Sequence, residues 1–118
     1  MTNDESEKKI GELAEAAARL LLGLGSVGLV LRGSVVERWM PCGKKGCACL
    51  GDPPRLHGPY LQWTTKVGGK TKTVRLTKGV AAQYRAWIQN GRNLDAVIRE
   101  LERLGEAAAE VIRGKSTS

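Results

Sequence analysis

Cys42-Gly43-Lys44-Lys45-Gly46-Cys47-Ala48-Cys49-Leu50-Gly51-Asp52-Pro53-Pro54-Arg55-Leu56-His57-Gly58-Pro59-Tyr60 is the stretch from which the rest of the chain is read. It holds all three cysteines, the only histidine and three of the four prolines. Cys42, Cys47, Cys49 and His57 are separated by four, one and seven residues. Zinc takes four sulfur or nitrogen ligands tetrahedrally, and three Cys with one His is one of its structural sets. Gly43 and Gly46 flank Lys44-Lys45 and permit a tight knuckle turn. The prolines at 53, 54 and 59 turn the chain again, which lets His57 swing back toward the thiols. The two lysines favour the thiolate form. The spacing therefore predicts a structural zinc on Cys42, Cys47, Cys49 and His57.

Other readings of the same residues stand beside this one. Three reduced thiols and a surface histidine need no metal, and an iron–sulfur cluster uses similar ligands. A disulfide fits poorly, because the cysteine count is odd and nothing points to an oxidising compartment. A catalytic zinc keeps an open position with a base nearby. The stretch offers one carboxylate, Asp52, and no second histidine.

The 118 residues suit one domain, expected to span 1–118, with a thin core resting on Leu, Val, Ile and three Trp, since Phe is absent. A metal clip would help such a domain. The acidic, polar N-terminus does not read as a signal peptide. The apolar run at 20–31 is broken by three glycines and too short to span a bilayer as a helix. These features predict a cytoplasmic protein with no membrane partner.

The net charge of +7 is unevenly placed. Residues 32–92 carry twelve Lys/Arg against Glu37 and Asp52, whereas 1–31 and 93–118 are each slightly acidic. A concentrated basic segment is the footprint of polyphosphate binding, and its bland counterpart is a merely soluble surface.

Apolar residues from Ile10 to Leu24 recur at helical spacing and predict a helix over 4–25. Residues 29–76 alternate as β-structure around the Cys/His loop. Strands are expected over 29–40, 60–67 and 70–76, with Gly33 marking a bulge and Gly68-Gly69 a two-residue hairpin turn. Thr77 caps a helical region over 77–113, and Gly91 is expected to kink it or split it in two. A disordered tail is expected over 114–118. The fold class is α+β: an N-terminal helix, a small three-stranded antiparallel sheet with a Cys/His metal knuckle, and a C-terminal long helix or helix pair packing antiparallel to the first. The helical stripes also leave room for a homodimer or a protein partner. Trp39 and Trp87 read as core residues, and Glu37 as a partner for Arg38.

Gly33-Ser34-Val35-Val36-Glu37-Arg38, Cys42-Gly43-Lys44-Lys45-Gly46-Cys47-Ala48-Cys49, His57-Gly58-Pro59-Tyr60 and Gly68-Gly69-Lys70-Thr71 together resemble a small bacterial family of unknown function. The resemblance covers about 33–88 and implies the Cys/His motif, flanking helices and a context of mobile elements and transposases. It implies no reaction. The loop Asp52-Pro53-Pro54-Arg55 and the Ala- and Leu-rich first helix depart from the pattern.

The expected function is non-enzymatic nucleic-acid binding, to DNA rather than RNA. Lys44, Lys45, Arg55, Lys66, Lys70, Lys72, Arg75 and Lys78 would meet phosphates, while Tyr60 and Trp63 would stack on bases. The alternative is a protein-interaction adaptor with a purely structural metal. A Mg²⁺-dependent nuclease needs clustered carboxylates, which the central region lacks.

Overall fold

The computed structural model describes residues 3–41, 43–51 and 55–115. In chain order these form α1 (Asn3–Gly23), a 3-10 turn (Leu24–Ser26), β1 (Ser34–Met40), a second 3-10 turn (Ala48–Leu50), β2 (His57–Val67), β3 (Lys70–Leu76) and α2 (Lys78–Lys115). This is the expected α+β order. The chain makes two compact units, one of Val30–Gln89, the other of the residues up to Leu29 and from Asn90 onward.

The Val30–Gln89 unit is built on an antiparallel sheet in the order β1-β2-β3. Gly68 and Gly69 both have positive φ (57° and 80°), as a two-residue hairpin loop with the right twist requires. Opposed residues share a face, so Val35, Trp63 and Val74 form one row across the sheet, and Glu37, Leu61 and Leu76 the next row on the same face. The start of α2 covers that face. Tyr84 meets Trp63 edge-on with ring centroids 5.5 Å apart, and Trp87 lies 6.2 Å from Tyr84. Ala81 and Ile88 lie three residues before and four after Tyr84, on the same helical stripe, and both are buried.

β1 begins at Ser34, five residues later than its alternation predicts. The backbone just before it is committed elsewhere. The Leu31 N–H donates to the Trp87 carbonyl at 3.2 Å, and the Arg32 carbonyl accepts the Trp63 indole N–H at 2.8 Å. Gly33 then turns the chain into the sheet with φ +104°. A Cβ there would lie 2.5 Å from the Thr64 carbonyl oxygen and 2.7 Å from Trp63 Nε1.

Trp39 is not a core residue: it is 56% exposed. It stands where the register shifts: Arg38 to Met40 is two steps on β1 and Tyr60 to His57 three on β2, so regular pairing is interrupted beside it by the extra residue of β2. Glu37 makes no ion pair with Arg38 among the described residues.

In the other unit, α1 and the later part of α2 run antiparallel. Ile10, Leu13, Ala14 and Ala17 face Leu101, Leu104, Gly105 and Ala108 across a groove of about 190 Å³, while Ala16 and Leu20 stand opposite Glu100 and Leu104. The Asn90 amide donates to the Leu29 carbonyl at 2.7 Å. Gly91 is buried inside a continuous helix and does not split it. One glycine costs about 1 kcal/mol against alanine in a helix interior, too little to break a packed element. α2 continues through Gly114 to Lys115, further than expected, and the rest of the expected tail lies outside the described residues. Arg103 Nε donates to both Glu100 carboxylate oxygens at 3.1 and 3.0 Å, and that hydrogen bonding holds the Glu100 carboxyl below its ordinary range. The pair is in water and adds little to stability. Ser6 is fully buried, and its hydroxyl has no hydrogen-bond partner among the described residues.

Two substitutions test this packing. Gly33→Ala is expected to destabilise the chain by roughly 1–3 kcal/mol, read as a lower urea midpoint, because the Cβ meets backbone at a positive φ. Ser6→Ala should raise the midpoint by about 1 kcal/mol, since it deletes an unpaired buried hydroxyl at little cost in volume. An unchanged midpoint for both would contradict the packing.

Candidate functional site

The Cys/His loop is closed by its own backbone. Gly43 and Gly46 both take φ +79° around Lys44 and Lys45, which are exposed. The Cys47 N–H donates back to the Lys44 carbonyl at 3.4 Å. The Leu50 N–H reaches the Cys47 carbonyl at 3.0 Å, and the Gly51 and Arg55 N–H groups both reach the Ala48 carbonyl, at 3.1 and 3.0 Å. That last bond returns the chain to the start of β2, where His57 pairs with Met40. Gly58 is needed beside it, because a Cβ there would lie 2.7 Å from the Arg38 carbonyl oxygen and 3.0 Å from the Trp39 ring.

Cys47, Cys49 and His57 are thereby brought together. Their ligand atoms all lie within 4.8 Å of one another, and Cys47 Sγ is 3.0 Å from His57 Nε2. Zinc bond lengths put a sulfur and a nitrogen about 3.6 Å apart across a tetrahedral centre, so the gathered atoms are near the span one ion bridges. Cys49 is buried; Cys47 and His57 are partly exposed. The three side chains can hold one metal ion. Cys42, the fourth expected ligand, lies outside the described residues.

The expected phosphate-contacting residues are divided between two faces of the sheet. Lys70 and Lys72 share the face of Trp63, with the Lys72 ammonium 5.8 Å from the Trp63 ring centroid. Trp63 is half-buried, and its ring edge and N–H are taken up by Tyr84 and Arg32. The opposite face carries Arg38, Tyr60, Lys66 and Arg75, with Gln62 and Thr64, Thr71 and Thr73 between them. Arg38, Lys66 and Arg75 are exposed. The Arg75 guanidinium sits 4.2 Å from the Tyr60 ring centroid, the spacing of a cation–π stack. Tyr60 thus packs against Arg75. No carboxylate occurs on this face among the described strand residues. Arg55 is exposed at the end of the metal loop, and Lys78 at the start of α2.

Arg38 was not among the expected contacts. It stands directly across from Tyr60, a position that two-residue alternation and a hairpin register would reveal. No helix of the described residues is long and apolar enough to cross a membrane.

The model of a family described as a domain of unknown function, DUF6788, matches residues 3–86. No curated protein and no solved structure matches the chain.

If the gathered ligands act as a metal centre, the reduced protein titrated with Co²⁺ will show visible bands of a tetrahedral, thiolate-bound ion that saturate at one equivalent. Cys47→Ser and His57→Ala should each weaken the site beyond the roughly 10–100-fold that loss of an outer-shell partner costs. Featureless spectra would show that the thiols serve only as packing groups.

Proposed function

For a chain that belongs to the DUF6788 family, we propose a nucleic-acid-binding module with a structural zinc clip. The clip ties the loop to the start of β2 at one end of the sheet, and the polar sheet face meets the sugar–phosphate backbone. One observation carries the reading: a sheet face with Arg38 and Arg75 grouped around the Tyr60 ring, Lys66 further along β2, and no carboxylate among the described strand residues. Cations that lack neighbouring acids release counterions when they meet phosphates, and a tyrosine or an arginine plane offers a base a stacking surface. Trp63 is left out of the contact set because its polar edge is already bonded within the fold. Lys44, Lys45 and Arg55 extend the basic surface along the metal loop. The partner is DNA ahead of RNA, in keeping with the resemblance to sequences found with mobile elements. The protein acts by binding rather than by catalysis.

A second reading has its own support. Leu21, Leu22, Ile98 and Ile112 are exposed on the helices, with Leu22 at 81%. These residues suit an adaptor that docks a second copy or a protein partner through α1 and α2.

Anisotropy titrations with labelled single-stranded DNA, duplex DNA and RNA separate the two. Binding should weaken steeply with salt, with log K falling by about 0.7 per phosphate contact on a single strand. The variant carrying Arg38→Ala, Lys66→Ala and Arg75→Ala should lose at least tenfold in affinity and flatten the salt slope by about two, as three lost contacts require. No binding at low salt, or a variant that binds as tightly as the parent, removes the nucleic-acid reading and leaves the adaptor.

A further inference from the structure

Beside the helix-covered face of the sheet lies a charged cavity that shares Tyr60 and Arg75 with the proposed binding face and adds Glu37 and Arg85, which that reading does not use. Its floor is the cross-strand row Glu37, Leu61 and Leu76, with Pro59 beside it. Its other walls include Lys78 and Arg85 of α2, with Arg75 at the rim, and its volume is about 340 Å³. The neighbouring row, Val35, Trp63 and Val74, has Tyr84 packed on it through Trp63. At the Glu37 row α2 contributes no ring, only Lys78 and Arg85. Lys78 and Arg85 are seven residues apart, so both leave the helix on the same side.

The charges are unbalanced. The Glu37 end of this row is exposed, and so are Lys78 and Arg85, the two cations that line the same space. Neither Glu37, Lys78 nor Arg85 makes an ion pair or a side-chain hydrogen bond among the described residues. The three groups surround the space without closing on one another across it. A ligand that satisfies all of them carries an anionic end for the cations, a hydrogen-bond donor for Glu37 and a flat apolar part for Pro59, Leu61 and Leu76. Inorganic phosphate answers only the first requirement, and Glu37 repels it. A nucleoside phosphate answers all three: its phosphate meets Lys78 and Arg85, a ribose hydroxyl or exocyclic amine donates to Glu37, and its base lies on the apolar floor. The volume falls at the lower end of the range for small-molecule pockets, which suits a single nucleotide unit.

We propose that this cavity binds one nucleoside phosphate, supplied as a free mononucleotide or as one unit of a strand. The strand source rests on the nucleic-acid reading above; the free-nucleotide source does not. Isothermal titration of the full-length, metal-loaded protein at low salt separates the outcomes, with AMP, inorganic phosphate and an eight-residue oligonucleotide as probes. AMP is expected to bind one-to-one and more tightly than phosphate, and the variant with Lys78→Ala and Arg85→Ala should lose at least tenfold. Glu37→Gln should weaken AMP while leaving phosphate unchanged or improved, a reversal that general charge loss would not give. If only the oligonucleotide binds, and the Lys78/Arg85 variant weakens it, the cavity takes a unit of a strand. If the oligonucleotide depends on Arg38 and Lys66 but neither it nor AMP responds to the cavity variants, the cavity proposal is overturned while the sheet-face reading stands. AMP binding that survives all three substitutions overturns it as well.

Discussion

One side chain fixes the Val30–Gln89 unit. Trp63 lies in the middle strand, so its ring is presented to α2 while both neighbouring strands hold its backbone. Its edge contact with Tyr84 sets how the helix lies on the sheet, and its N–H secures the carbonyl of Arg32 just before β1. That single bond dictates the glycine that follows: the chain must turn at Gly33 so close to Thr64 and Trp63 that no side chain fits. The Arg32 carbonyl and the Trp63 N–H constrain each other through this bond. Gly33, the first residue of the motif Gly33-Ser34-Val35-Val36-Glu37-Arg38, is thereby explained from packing.

The metal loop is the second constraint and is largely independent of the first. Its hydrogen bonds run within residues 44–55, and Arg55 N–H to the Ala48 carbonyl is the one that returns the chain toward His57. A metal bridging Cys47, Cys49 and His57 would close the same loop a second time, through side chains. Backbone turns that gather the ligands before the ion arrives reduce the ordering that binding must supply.

Much of this is legible in the residues themselves. Gly68-Gly69 between two alternating segments specifies a hairpin, and the Cys/His spacing brings three of its four members together as expected. The limits of sequence reading are equally physical. Alternation places Lys72 and Arg75 on opposite faces but says nothing about which face a helix will cover; only the Trp63–Tyr84 contact decides that. The extra residue that β2 carries opposite Arg38 and Met40 is a one-residue event beside the exposed Trp39, and no local pattern announces it. Residues 29–33 look like strand because they are apolar and alternating, yet their hydrogen bonds go to a helix carbonyl and an indole. The cavity at Glu37 is invisible in the sequence, because its two sides lie far apart in the chain and meet only when α2 lands on the sheet.

Because the sheet has three strands, β3 is one of its two outer strands. An outer strand presents unpaired amide and carbonyl groups to any other extended chain, which is the first step toward aggregation. Lys70, Lys72 and Arg75 punctuate β3 at short intervals and are all exposed. Two copies aligned along that edge would set like charges against one another at close range. These cations therefore oppose stacking into fibres, and a chain stripped of them would forfeit colloidal stability.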